Sequence, residues 1–172
     1  VDFAEMSVPY LGDIPSAGKD NKLITMFSRT STAEALRILR TNLEFLLNEI
    51  PDNTAKTIFV TSTIPREGKT FVSINLGATI ALSGKRVVLL AMDIRSPKFD
   101  EYMDIPQKGF TNFLSTPNSD IHDYIVRHES LENLYILPAG VIPPNPAELL
   151  MSPKVEQMIT QLQSEFDYII VD

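Results

Sequence analysis

Between residues 56 and 84 a short apolar run, Ile58-Phe59-Val60, ends in a turn of Thr, Ser, Pro and Gly residues. Gly68-Lys69-Thr70 then opens a helix-like segment closed by Gly84. Strand, loop and helix in that order, with Gly-Lys-Thr at the helix start, is the pattern of a phosphate-binding loop. Each residue type has a physical task. The loop N–H groups and the positive end of the helix dipole face an anion. Gly68 lets a phosphate approach the backbone because it has no Cβ. Lys69 offers a point cation to β- and γ-phosphates, and the Thr70 hydroxyl suits Mg2+. Pro65, Arg66, Glu67 and Phe71 flank this core and complete the expected nucleotide-binding stretch, 65–71. Gly-Lys-Thr alone is a weak signal, and Thr63 stands where the full pattern asks for a glycine. The plainer alternative is a helix starting at a glycine after a surface turn. It is outweighed by the entering apolar strand, by Pro65 in the turn, and by Val72, Leu76 and Ile80 at helical spacing.

A chain of 172 residues with 44% hydrophobic content is large enough for one domain with a real core. It has no cysteine, which excludes disulfides and thiolate metal sites. A net charge of −7 argues against non-specific nucleic-acid binding, so no nucleic-acid partner is expected. No run reaches the roughly 18 apolar residues of a membrane span, and no signal peptide opens the chain. The sequence begins at Val1 and stops within the run Tyr168–Asp172, so both ends read as cuts in a longer protein.

Along the chain, Tyr10-Leu11 reads as a short edge strand and SAGKDNKL as a flexible loop, whose Gly18-Lys19 lacks the context of a site. Residues 31–50 read as a helix opened by a Ser31/Glu34 capping box. Leu36, Leu39, Leu43, Leu46, Leu47 and Ile50 form its buried stripe. Glu34, Arg37 and Arg40 share a face at the edge of that stripe. They are either a solvated face with weak i,i+3 pairing or fixed charges offered to a neighbouring subunit, and spacing leaves both open. Val87 to Met92 reads as a parallel strand buried on both faces, ending at Asp93, where α/β sheets bind ligands. The alternative has Asp93 only capping the next turn. Two short helices are expected from Thr111 and from Ser119 or Asp120, with His122 and His128 as ordinary surface residues. Leu134 to Leu137 reads as a strand running into a loop stiffened by Pro143, Pro144 and Pro146, either a pocket wall or a stiff connector. Ser152-Pro153 starts another helix, with Val155, Met158, Ile159 and Leu162 facing inward. The strand Tyr168 to Val171 delivers Asp172, a second carboxylate of the kind that serves Mg2+ and its waters. Apolar strands at 58–60, 87–92, 134–137 and 168–171 alternate with helices. That order predicts an α/β fold: a mostly parallel sheet flanked by helices on both faces.

Assembled, these residues resemble the cytoplasmic catalytic domain of the bacterial tyrosine kinases (BY-kinases), P-loop enzymes attached to, or paired with, polysaccharide co-polymerase membrane proteins. The likeness runs from about Tyr10 to Asp172. EALRILRTNLEF resembles the family's Glu-x-x-Arg-x-x-Arg helix, STIPREGKTFVSINLG its Walker A form, MDIRSP its A-prime motif and YIIVD its Walker B. LPAGVIPPNPAELL is similar to a further family signature. The resemblance implies a P-loop NTPase-like fold, with 1–30 an N-terminal linker or edge segment and 31–172 the kinase domain. It implies ATP and Mg2+ as cofactors, Lys69, Asp93 and Asp172 as catalytic residues, and Thr70, Asp93 and Asp172 around the metal. It also places Glu34, Arg37 and Arg40 in contacts between subunits of a ring-like homo-oligomer. The implied activity is a protein-tyrosine autokinase that phosphorylates neighbouring subunits and regulates capsular or exopolysaccharide synthesis and export. Its partner is a co-polymerase membrane segment, in cis or in trans, which tethers it to the inner face of the bacterial plasma membrane. One position departs from the family: two aspartates commonly flank one residue in the A-prime motif, and here Ala91 takes the first place. Two other readings share the fold. A ParA/MinD-like switch ATPase usually carries an extra lysine near the loop start, which residues 62–64 lack. A nucleotide-binding scaffold with weakened catalysis is favoured by Ala91.

Overall fold

The computed structural model describes residues 8–16, 18, 23–51, 53–64 and 66–172. Its central helix, α2 (Lys69–Ala81), is buried at every position from Ser73 to Ala81. A helix apolar on all sides must be covered on all sides. The first helix, α1 (Ser31–Leu46), lies against one side and the sheet against the other. Gly77 sets the distance to the sheet. A Cβ there would fall 2.6 Å from Leu89 Cδ2 and 3.4 Å from Ile170 Cδ1, so only a hydrogen lets the helix sit this close.

The sheet has five strands: β1 (Lys56–Phe59), β2 (Val87–Leu90), β3 (Val126–Arg127), β4 (Leu134–Leu137) and β5 (Tyr168–Val171). Their order is β1-β5-β2-β4-β3, parallel except for the antiparallel β3–β4 pair. β2 and β5 are fully buried, as continuous apolar strands in a covered parallel sheet should be. The remaining helices are α3 (Phe110–Ser115), α4 (Pro146–Leu150) and α5 (Pro153–Gln163). Sheet and helices form the mostly parallel α/β layering of P-loop NTPase-like proteins.

Several local expectations are corrected. α1 is capped by Thr30, whose Oγ1 accepts from Ala33 N at 3.2 Å, so Ser31 lies inside the helix and forms no capping box. The helix stops at Leu46, followed by a 3-10 turn at Leu47–Glu49. Of its apolar stripe Leu36 is buried, Leu39, Leu43 and Leu47 are half-buried, and Leu46 is 44% exposed. No strand forms at Tyr10-Leu11. That segment lies along α1, where Asn42 Nδ2 donates to Leu11 O at 2.8 Å and Thr32 Oγ1 to Pro15 O at 3.3 Å. The core reaches back to Ile24, buried with its N–H donating to Asn75 Oδ1 at 2.8 Å. The second expected short helix is a 3-10 turn, Ile121–Asp123, capped by Asp120, and the apolar residues after it form β3. Ser152 does cap α5, accepting from Lys154 N at 3.3 Å. Pro138 to Val141 borders a cavity of about 260 Å3, whereas Pro143, Pro144 and Pro146 line neither it nor the cleft described next.

Candidate functional site

Register brings the acids to the loop. Phe59, Val171 and Leu90 lie side by side across β1, β5 and β2. The chain leaves all three strands at the same end. Val60 N donates to Val171 O at 2.9 Å and Asp172 N to Leu90 O at 3.0 Å, which holds Asp172 between the loop after β1 and the end of β2. α/β sheets bind ligands outside the carboxyl ends of their strands.

The loop, residues 61–68, is folded around one carboxylate. Glu67 Oε2 accepts from Thr63 N at 2.9 Å and Ile64 N at 3.1 Å, and Thr63 Oγ1 donates to it at 3.0 Å. The Ile64 N–H bond and then the Thr63 hydroxyl hold the Glu67 carboxyl below its ordinary pKa. Arg66 sits at φ 70°, a left-handed conformation uncommon for a residue with a Cβ, and Gly68 at φ 93° turns the chain into α2.

Above the loop lies a cleft of about 600 Å3. Of the residues expected to contact nucleotide, Arg66, Gly68, Lys69, Thr70 and Phe71 line it. Glu67 turns away to bind the loop itself, and Pro65 lies outside the described residues. Asp93 also lines the cleft, together with Ser96, Lys98 and Tyr102, which sequence reasoning did not single out. Arg95 is exposed and takes no part in this lining.

Lys69 holds the two acids together. Its Nζ lies 3.4 Å from Asp93 Oδ2 and 3.2 Å from Asp172 Oδ1. The Asp172 side chain is only 3% exposed, and a buried carboxylate needs partners. It has three: Lys69, the Thr70 hydroxyl at 2.9 Å and the Ser73 hydroxyl at 2.8 Å. Ser73 was missed because a mid-helix serine is usually neutral in a helix. Its only signal is its place four residues after Lys69, one turn up the same face. Asp93 both lines the cleft and caps the following turn, its Oδ1 accepting from Ser96 N at 3.3 Å. Ala91 is buried at the end of β2, so no carboxylate stands there.

Among the described residues no group of three or more His, Cys, Asp or Glu side chains is placed to hold a metal. Two carboxylates and a hydroxyl are hard oxygen donors. That set fits Mg2+, which takes one or two carboxylates together with substrate phosphates.

Glu34, Arg37 and Arg40 lie elsewhere, along α1. Arg37 pairs with Glu34 and donates to Ser28 O at 2.7 Å. Arg40 Nη1 donates to Thr79 O at 3.3 Å, tying α1 to α2, and its Nε lies 3.7 Å from Glu44 Oε1. His122 and His128 do not line the cleft.

No protein-family model matches the chain. Among curated proteins it is 32% identical over 140 residues to the tyrosine-protein kinase ptk of Acinetobacter johnsonii, covering 81% of this chain and 18% of that protein. It is 32% identical over 166 residues to the tyrosine-protein kinase wzc of Salmonella typhimurium, covering 90% of this chain and 21% of that one. The chain thus spans about a fifth of the length of these relatives. Among solved structures it superimposes on the chimerical protein CapA2B2 with a TM-score of 0.84 at 27% identity, over 98% of this chain and 72% of that one. On the kinase domain of the Escherichia coli tyrosine kinase ETK the TM-score is 0.74 at 31% identity, over 83% and 54%. The septum site-determining protein MinD of Pyrococcus horikoshii shares the fold, with a TM-score of 0.55 at 22% identity over 69% of this chain and 48% of that one. About a third of its residues shared with tyrosine-protein kinases, and a fold shared with a solved kinase domain of that kind, make this chain a member of the bacterial tyrosine kinase (BY-kinase) domain family.

Proposed function

We propose that the chain is an ATP- and Mg2+-dependent protein-tyrosine kinase domain, transferring the γ-phosphoryl group to tyrosines of neighbouring subunits. The observation that carries this reading is Lys69 Nζ suspended between Asp93 and Asp172 at the start of a phosphate loop. Lys69 and the loop N–H groups bind the β- and γ-phosphates. When they arrive, the ammonium exchanges its carboxylate partners for phosphate oxygens. Thr70, Asp93 and Asp172 would hold Mg2+, which when bound offsets charge on the transferring group. Asp93, the more exposed of the two acids, orients the tyrosine hydroxyl and receives its proton. Positioning and charge neutralisation dominate such a transfer. Glu34, Arg37 and Arg40 are proposed as subunit contacts of a ring, with a polysaccharide co-polymerase segment as membrane partner and polysaccharide export as the regulated process. No helix among the described residues is long and apolar enough to cross a membrane. A second reading, a nucleotide-binding scaffold with weak transfer, is favoured by the buried Ala91.

Lys69→Met is expected to abolish binding of a fluorescent ATP analogue and to end labelling of protein tyrosine from γ-labelled ATP. Unchanged nucleotide affinity would remove the assignment. Nucleotide binding without any tyrosine label in the wild type would select the scaffold, and release of free phosphate alone would select a switch ATPase.

A further inference from the structure

The cleft has two unlike walls. One is the phosphate loop with Lys69. The other is aromatic: Phe71 in the first turn of α2 and Tyr102 just after the 3-10 turn Phe99–Glu101, their ring centroids 6.4 Å apart and their planes tilted by 52°. Both rings are half-buried, so each keeps part of its surface toward the cleft. Tyr102 is held on a stiff link. Ile94 and Phe99 are buried anchors, and the N–H groups of Tyr102 and Met103 both donate to Phe99 O, at 3.0 and 3.1 Å. The eight residues 94–101 that connect the acid Asp93 to this ring are thus pinned at both ends. Both rings line the same cleft as Lys69, Thr70 and Asp93. Phe71 directly follows Lys69-Thr70 in α2 and contacts Tyr102, so the aromatic wall begins beside the end of the cleft that holds Lys69. A nucleotide's γ-phosphate belongs at that end, and its base leads away from it.

We propose that Phe71 and Tyr102 form the acceptor subsite, receiving the ring of the incoming tyrosine and selecting a phenol over an aliphatic hydroxyl. This rests on the tyrosine-kinase reading and specifies how it recognises its substrate. Tilted ring contacts are favourable beyond simple burial, and serine or threonine has no ring face to offer. In the step so positioned, the phenol oxygen bonds to the γ-phosphorus. The bond from phosphorus to the β–γ bridging oxygen breaks, ADP departs with that electron pair, and the phenolic proton passes to Asp93.

The test uses the protein carrying this chain, γ-labelled ATP and a random Glu-Tyr copolymer as acceptor. Tyr102→Leu is expected to raise the acceptor KM by about tenfold while the KM for ATP stays put. Tyr102→Phe, which keeps the ring, is expected to leave both KM values within about twofold. An acceptor KM unmoved by Tyr102→Leu overturns the proposal. So does a rise confined to the KM for ATP, a Phe variant as impaired as the Leu variant, or label on Tyr102 itself. Should thermal melting show Tyr102→Leu unfolded, Tyr102→Trp replaces it: a changed acceptor KM at constant KM for ATP supports the subsite, and no change overturns it. A wild type that binds ATP yet labels no tyrosine overturns the underlying kinase reading instead, which separates the two failures.

Discussion

At the scale of single residues, the site turns on what surrounds one lysine. Lys69 compensates Asp93 and Asp172 at once, and the family's usual further acid is absent at Ala91. Ala91 is 3% exposed and its N–H donates to Leu137 O at 3.0 Å, so a carboxylate there would be buried beside two others. Such a group is costly until a cation shares it. Ala91→Asp is therefore expected to lower the melting temperature in chelator and to recover it with Mg2+. It is also expected to raise kcat at saturating Mg-ATP by about tenfold or more, because a further carboxylate helps to position the Mg2+ that offsets charge on the transferring group. Melting curves with and without Mg2+, beside steady-state rates, check both halves. Lys69, Thr70, Asp93 and Asp172 were legible because their residue types follow from phosphate and metal chemistry at fixed places on a strand, loop and helix. Glu67 was named only as a nucleotide contact. Its carboxylate shapes the loop from within, a use that depends on loop conformation rather than spacing.

Among the elements, long periodic segments were readable and short ones were not. α2 and the apolar strands announce themselves by periodicity and by uninterrupted apolar runs. β3 has two residues, forms only against β4, and so owes its existence to a neighbour that local sequence does not contain. The turn before it carries a clasp that patterning also missed. His122 Nδ1 lies 2.7 Å from Asp120 Oδ1 and Nε2 lies 2.7 Å from Glu165 Oε2, joining this turn to the segment after α5. The bond to Glu165 first, and then that to Asp120, raises the His122 pKa above its ordinary 6.5. A raised folded-state value means the contribution is fully present below 6.5 and is lost as pH rises through the folded value. The ring is half-exposed, so the effect is small. Wild type should melt about 1–3 °C above His122→Ala at pH 6 and level with it at pH 9, measured by calorimetry. A constant difference across that range would reject the clasp as the cause.

For the molecule as a whole, the parallel α/β plan followed from strands alternating with helices, but strand order did not. Hydrophobic patterning says which segments are buried and not which of them are neighbours. The last strand in sequence, β5, lies between β1 and β2, and β1 is an outer strand, with Phe59 72% exposed. Because the proposed nucleotide contacts come from the loop, α2 and the ends of two strands, ligand binding should stabilise the domain globally. Mg-ATP at about 100 times its Kd is expected to add about 2.7 kcal/mol, a rise of roughly 5–10 °C in melting temperature, and Lys69→Met should abolish it. The seat of β5 has a consequence for how the protein is made. β1 and β2 are joined only through it, and Thr70 meets Asp172 across 102 residues of sequence. Lys69 and Asp93 therefore emerge well before Asp172, and until β5 is made the phosphate loop has only one of its two acids. Closing the sheet and arming the site are one event, so a chain that misplaces β5 is inert as well as misfolded.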